Sequence, residues 1–392
     1  MSEEDLTLAE GSVLVHIGPY KTGSTAIQSS LHQHRDDLAR HGVLYPGPTA
    51  RQFRAGWALI GRGPRGKNQV PEHEWDDLVT VVRESTATRV CLSTENFASA
   101  TTEQVRRLVD DLGPDKVHAL AVVRRLDRLL PSSWQQRLQM TARPQSYEEW
   151  LREVLAVEPR RGPGQTFWHH HGVGQLLERW RASLPAEQIT LVVADESDRS
   201  QQMRVFERLL GLPDGLLTPG ARDNVSFTYE RIELYRRVLD LCAENGWSAR
   251  HRRMLLQRGL LRGLRQAPAH ETDLPIPSLP GWAAERVAAL SDARVEEVVA
   301  SGARIIGDPE ALRVREVGAG DLAPPPETIA IETVARGVEA LVEAALEAER
   351  VARRNARRAG PAPARRRTVA ETRSTELVRE VAGRVRRRLL RR

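Results

Sequence analysis

The stretch VLVHIGPYKTGSTAIQ, residues 13–28, begins as a β-branched apolar run, crosses two glycines and continues into helix-forming residues with hydroxyls at their head. That order reads as strand, Gly-rich turn and helix, the layout that holds phosphate groups at a helix N-terminus. In the nucleoside-triphosphate loop GxxxxGK[ST] the lysine follows the second glycine. Here Gly18 and Gly23 keep the spacing, Ser24 stands at the lysine position, and Lys21 lies earlier, inside the loop. The glycines permit close backbone approach, Thr22, Ser24 and Thr25 add hydroxyls beside the first helical N–H groups, and Lys21 adds a compact ammonium on a flexible stem. The alternative is a structural turn with ordinary cap residues, and the convergence of strand, glycines, lysine and hydroxyls weighs against it.

Working outward, VLVHI (13–17), TRVCLST (88–94), VHALAVV (117–123) and QITLVVA (188–194) read as buried strands. Amphipathic stretches at 28–41, 101–112 and 176–183 lie between them, the alternation that marks a parallel sheet covered by helices. The fold class expected is therefore α/β, a P-loop-like three-layer sandwich with a parallel central sheet and a helical C-terminal extension. Helices are expected at 228–245 and 281–301. Three consecutive prolines in GAGDLAPPPET mark an extended linker. The reading divides the chain into a catalytic domain at 12–317, a Pro-rich linker at 318–328 and a basic helical tail at 329–392.

The net charge of the 392 residues is +6. Residues 351–392 hold 15 arginines against 3 glutamates, which is +12, so +6 minus +12 leaves −6 for residues 1–350. Nonspecific attraction for anions thus belongs to the tail and not to the body, and nucleic acid is not an expected partner. No run of 18 apolar residues occurs, and MSEEDLTLAE at the start is acidic with no apolar core. These features predict a cytoplasmic protein without a membrane span or signal peptide. Cys91 and Cys242 are far apart, with no CxxC or Cys/His cluster, and read as core residues.

Lys21, Thr22, Gly23, Ser24 and Thr25 resemble the 5′-phosphosulfate loop, Lys-[ST]-Gly-[ST]-Thr, of sulfotransferases that use 3′-phosphoadenosine 5′-phosphosulfate (PAPS). A second segment, AVVRRLDRLLPSSWQQ, resembles the same family's 3′-phosphate site, with Arg124 directly after a strand and Ser132 eight residues on. An arginine there points into the crevice where open α/β sheets bind ligands, and its fork suits a phosphate. More weakly, the resemblance runs over residues 12–310 and implies that Arg222, Asn224 and Ser226 lie on a loop closing over the 3′-phosphate. The chain departs from the better-known cytosolic members at two points: their Arg-Lys-Gly triplet is missing, and Ala26 replaces the tryptophan that stacks on adenine, leaving Trp134 or Phe227 as substitutes.

The resemblance implies in-line transfer of a sulfuryl group from PAPS, as co-substrate and without a metal, to an acceptor hydroxyl or amine on a carbohydrate, glycolipid or natural product. Lys21 and the loop amides would stabilise the leaving phosphate, and Glu95, at the carboxyl end of CLSTE, is the expected base, with a raised proton affinity beside the bound anion. His16 on the first strand reads as a packed residue, and His32 and His34 as solvated. His169, His170 and His171 in FWHHHGVG cannot all point one way, so they suit an acceptor-pocket rim better than a metal site. The insert at about 46–71 is either an acceptor lid or a loop. Two rival classes stay open: a nucleotide-dependent phosphotransferase, and a noncatalytic nucleotide-binding protein whose basic tail grips nucleic acid or a membrane. In the tail, Val334, Val338, Leu341, Val342, Ala345 and Leu346 recur at helical spacing, predicting a helix that packs on the body or on a second copy. Residues 374–392 place Leu377, Val381, Val385 and Leu389 on one stripe among arginines, the pattern of a helix on an anionic membrane surface, which would put the protein at the inner face of the membrane.

Overall fold

The computed structural model describes residues 6–63, 69–140, 143–156, 162–198, 200–218, 227–248, 251–271, 273–277, 279–315 and 322–359. Arg222, Asn224, Ser226 and the stripe at 374–392 lie outside these residues. The first strand, β1 (Val13–His16), leads into α1 (Ser24–Gln33) and α2 (Arg35–Arg40). The single amphipathic helix expected over 28–41 is thus two, because the chain turns at His34 (φ −95°, ψ 20°) before Asp36 and Asp37 open the second. There follow β2 (Val43–Leu44), α3 (Phe53–Leu59), α4 (His73–Arg83), β3 (Arg89–Ser93), α5 (Thr102–Leu112) and β4 (Val117–Val123). Then come α6 (Leu126–Met140), α7 (Tyr147–Val154), α8 (Gly162–His171), α9 (Val173–Arg181), β5 (Ile189–Val193) and α10 (Gln201–Leu210).

These strands and β6 (Arg304–Ile306) form one six-stranded parallel sheet in the order β2-β3-β1-β4-β5-β6. Alternate residues of each central strand feed opposite faces. Val13, Val15, Leu92, Ala119, Ala121 and Leu191 pack under α4, α5 and α9, while Leu14, Cys91, Leu120, Val122 and Val192 pack under α1, α2 and α10. Both faces being covered, the central strands are buried along almost their whole length and mostly apolar, as an all-parallel sheet requires, with His16, Ser93, His118 and Thr190 as the buried polar exceptions. Helix α5 starts in a capping box between Thr101 and Gln104, which ties off two N–H groups of its first turn. The edge strands β2 and β6, two and three residues long, carry too few residues to show a period in the sequence.

The third core is helical. Leu126, Leu130, Trp134, Trp150 and Phe167 meet Ile232 and Tyr235 of α11 (Tyr229–Glu244), the π-helical segment Arg252–Leu260, α12 (Leu261–Gln266) and α13 (Gly281–Val299). The last helix, α14 (Ile331–Ala359), lies against the π-helical segment and α12. A Cβ on Gly263 would collide with the Arg336 carbonyl, and one on Gly259 would meet the Leu341 backbone. This close approach decides which face turns inward. Gly337, Ala340 and Leu341 pack on the body, whereas Val338, Val342 and Leu346 stay about half exposed, at 50%, 50% and 49%. The six apolar positions expected on one face are therefore split between two. Among the described residues no helix is long and apolar enough to cross a membrane.

Candidate functional site

In this strand order β1 lies between β3 and β4, so the chain leaves β1 toward one edge and later returns past it. Ligands of open α/β sheets bind where that reversal opens a crevice at the carboxyl ends of the strands. The segments after β1, β3 and β4 carry Lys21, Glu95 and Arg124, and these three line one cavity of about 580 Å³ together with Gly23, Ser24, Thr25 and Ser132. Residues some hundred positions apart are joined only because their strands are neighbours.

The loop after β1 is held from several sides. Thr22 Oγ1 donates to Pro19 O at 2.7 Å, Gln202 Nε2 of α10 donates to Thr22 O at 2.8 Å, and Arg124 Nη1 donates to Lys21 O at 2.9 Å. Gly23, the α1 N-cap, has φ 98°, and an added Cβ would strike the Gln202 amide. Lys21 itself has φ 67°, the single non-glycine residue with positive φ among those described. Such a conformation costs on the order of 1 kcal/mol or more, and the three bonds around the loop hold it. Gly23 brings no capping side chain, and of the first-turn N–H groups of α1 that of Ala26 donates to Gly23 O at 3.0 Å, which leaves those of Ser24 and Thr25 for an anion.

Ser24, at the position of the nucleoside-triphosphate lysine, donates to Glu95 Oε1 at 2.9 Å. An ammonium is replaced there by a hydroxyl aimed at a carboxylate. Glu95 is 4% exposed, lies 3.8 Å from Arg51 Nη1, and its Oε2 has no hydrogen-bond partner among the described residues. Arg51 also donates to Thr25 Oγ1 at 2.8 Å. Burial, followed by the Arg265 and Arg124 charges, holds the Lys21 pKa below its ordinary 10.5. The guanidinium of Arg265 lies 5.4 Å from the Phe227 ring centroid, and both line the cavity. Four cations, Lys21, Arg51, Arg124 and Arg265, thus line the cavity with Glu95, the one carboxylate on its described wall. Of these, Arg51 and Arg265 escape sequence reasoning. Arg51 lies in an arginine-containing insert with no motif, and Arg265 sits in a distant helix among other arginines.

Arg124 enters the cavity with its fork already engaged. Its Nε and Nη2 donate to Glu196 Oε1 and Oε2 at 2.6 and 2.8 Å, with Glu196 just beyond β5. Arg125 turns to Asp127, at 3.0 and 3.1 Å, so Arg124 is the member of the pair that faces the crevice. Trp134 is corrected as an adenine platform: it is 1% exposed, and its indole N–H donates to Gln145 O at 3.0 Å inside the helical core. Phe227 and Tyr20 are the aromatic residues on the described cavity wall.

His16 packs beneath the loop with Nδ1 2.8 Å from Ser93 Oγ, and burial drives its pKa to about 3. It is a neutral packed residue. His34 reaches Asp37 and Thr218, each at 3.3 Å, and both His32 and His34 are half-buried. Of the three histidines on α8, His170 Nε2 lies 2.8 Å from Ser99 Oγ and His169 Nε2 is 3.3 Å from Ser99 O. His170 and His171 line a second cavity beside the first. No group of three or more His, Cys, Asp or Glu side chains suited to a metal occurs among the described residues.

Fold and site together define the class: a three-layer α/β protein of P-loop-like architecture, with a cationic cavity at the switch point of its sheet. No protein-family model matches the chain, and no curated protein does. Among solved structures it is similar to a sulfotransferase from Alicyclobacillus acidocaldarius, at 16% identity and a TM-score of 0.39, over 59% of this chain and 91% of that one.

Proposed function

We propose that the protein is a sulfotransferase that moves a sulfuryl group from PAPS to an acceptor hydroxyl or amine. The observation that carries this reading is the meeting of Lys21, Arg124 and Glu95, from three strand ends, in one cavity with an uncapped helix N-terminus. About 580 Å³ falls within the roughly 300–1,000 Å³ of small-ligand sites, enough for a nucleotide. In this assignment Lys21, Thr22, Gly23, Ser24 and Thr25 hold the 5′-phosphosulfate, Arg124 and Ser132 the 3′-phosphate, and Phe227 stacks on adenine. Arg222, Asn224 and Ser226 would close over the 3′-phosphate.

The acceptor oxygen or nitrogen attacks sulfur, the bond from sulfur to the bridging phosphate oxygen breaks, and 3′-phosphoadenosine 5′-phosphate leaves. Lys21 and the α1 amides neutralise the charge that grows on that phosphate. The Glu95 carboxylate, whose buried Oε2 has no hydrogen-bond partner among the described residues, takes the acceptor proton, while Oε1 stays fixed by Ser24.

The test is thermal unfolding with 3′-phosphoadenosine 5′-phosphate in the absence of magnesium. At 100 times its dissociation constant the ligand stabilises the folded state by about 2.7 kcal/mol, an upward shift that ATP should not reproduce. Protection by magnesium and ATP, with none by the bisphosphate, would overturn the reading in favour of a phosphotransferase.

A further inference from the structure

The second cavity, about 280 Å³, shares Tyr20, Gln136 and Met140 with the cationic one. Trp150 and Phe167, packed edge to face at 5.8 Å, form its back wall and are themselves part of the helical core. The wall is therefore rigid and aromatic. Its polar groups are few. Ser133 Oγ and His171 Nδ1 are buried without a hydrogen-bond partner among the described residues, and His170 is joined to Ser99. Burial brings the His170 pKa to about 3 and holds that of His171 well below 6.5, so both rings are neutral and can serve only as single donors or acceptors. The charged residues on the described wall are Arg62 and Arg137, with no Asp or Glu among them.

Tyr20 forms the partition between the two spaces. Burial and then the Glu95 charge raise its pKa to about 12, so it is a neutral phenol. A group reaching past Tyr20 from the second cavity enters the space lined by Glu95 and Lys21.

We infer that this second cavity holds the acceptor, and that the acceptor is a compact aromatic alcohol or phenol of one or two rings whose only charge, where it has one, is negative. The inference rests on the sulfuryl-transfer reading and narrows it. A volume of about 280 Å³ lies just below the roughly 300–1,000 Å³ range of small-ligand sites and gives room inside for one or two rings. A sugar ring would also bury several hydroxyls with few partners, each left unmet at a cost in binding. An ammonium group would meet the Arg62 and Arg137 guanidinium groups and no Asp or Glu on the described wall, an arrangement that favours a neutral or anionic acceptor. An aromatic ring, by contrast, can lie against Tyr20 and meet the small exposed edges of Trp150 and Phe167, which show 2% and 5% of their surface.

Calorimetry on the full-length protein, with and without saturating 3′-phosphoadenosine 5′-phosphate, tests this with four probes: 2-naphthol, 4-hydroxyphenylacetate, tyramine and N-acetylglucosamine. The first two should bind and the last two should not. Thr166 is exposed on the cavity wall, so Thr166→Trp fills the space from its rim. It should weaken 2-naphthol about tenfold or more while leaving the bisphosphate unaffected. Arg62→Glu should weaken 4-hydroxyphenylacetate and admit tyramine. Tighter binding of N-acetylglucosamine or tyramine than of 2-naphthol, or 2-naphthol affinity indifferent to Thr166→Trp, overturns the inference. Failure of the bisphosphate to bind overturns the sulfuryl-transfer reading instead, and the titrations without it still judge the cavity.

Discussion

The two cavities that meet at Tyr20 are built by different physics. The cationic one gathers its side chains from turns that follow strands, where each residue has a short tether to a rigid sheet and its charge is the property that counts. The aromatic one is a gap among α6, α7 and α8, and its character comes from which ring faces are left uncovered when helices pack. Charge placement tolerates a side chain finding a local partner, as Arg124 does with Glu196. A packed wall has no such latitude, since a change of one side chain changes the space itself.

The largest effect should come at the point where the two spaces join. Glu95→Gln should lower turnover with PAPS and 2-naphthol by about 10²–10⁴-fold, the usual worth of a general base. Calorimetry should find both ligands bound much as in the wild type. Undiminished turnover would remove Glu95 as the base, and loss of either ligand would show that it shapes a cavity instead.

Arg124→Ala should affect one cavity alone. Its removal should weaken 3′-phosphoadenosine 5′-phosphate by about 2 kcal/mol, or about 30-fold, the scale of one charge-assisted hydrogen-bonded pair. Part of the fork's worth is already spent on Glu196, which keeps the figure at the lower end. Affinity for 2-naphthol should not move. Equal effects on both ligands would mean that the cavities are not independent, and no effect on the bisphosphate would remove the 3′-site.

Acid and alkali should separate the two sides with smaller effects. His170 has a folded pKa of about 3 against 6.5 when unfolded, so between those values the unfolded chain binds more protons. Stability is then lost as pH falls below 6.5, by up to about 1.4 kcal/mol per pH unit for each such histidine. Urea unfolding at pH 5 and 7 should show a steeper loss for the wild type than for His170→Gln, and parallel losses would contradict a neutral buried ring. On the other side, Lys21 must be charged to meet a phosphate, and its pKa is lowered from 10.5. Bisphosphate affinity should therefore fall as pH rises, beginning before 10.5, with naphthol affinity unchanged until the naphthol itself ionises.

Legibility in the sequence follows the same division. The expectations at 13–17, 88–94, 117–123 and 188–194 correspond to β1, β3, β4 and β5, because strands buried on both faces are written as unbroken apolar runs. Glu95 and Arg124 were readable since each directly follows such a run, Lys21 since it lies in the glycine-bounded turn four residues beyond one, and parallel strands all open toward the same end. Trp134 was misread because an aromatic residue near a candidate site looks the same in one dimension whether it faces the ligand or the core. Its burial depends on the turn of α6 against α7 and α11, which no local pattern records. The apolar face of α14 was misassigned for a related reason. Backbone contact through Gly259 and Gly263 outranks the larger side chains in deciding which side turns inward.

By itself, then, the sequence determined the parallel α/β architecture, the glycine-shaped loop after β1 and the position of the cations that end two of the strands. These are properties of segments shorter than about 20 residues, where periodicity and backbone freedom act locally. Only the tertiary structure decided that Arg51 and Arg265 join the cationic cavity, that Glu196 holds the Arg124 fork, and that an aromatic cavity lies beyond Tyr20. Those outcomes depend on contacts between residues far apart in the chain, whose partners are selected by helix packing and strand order and leave no trace in any one stretch.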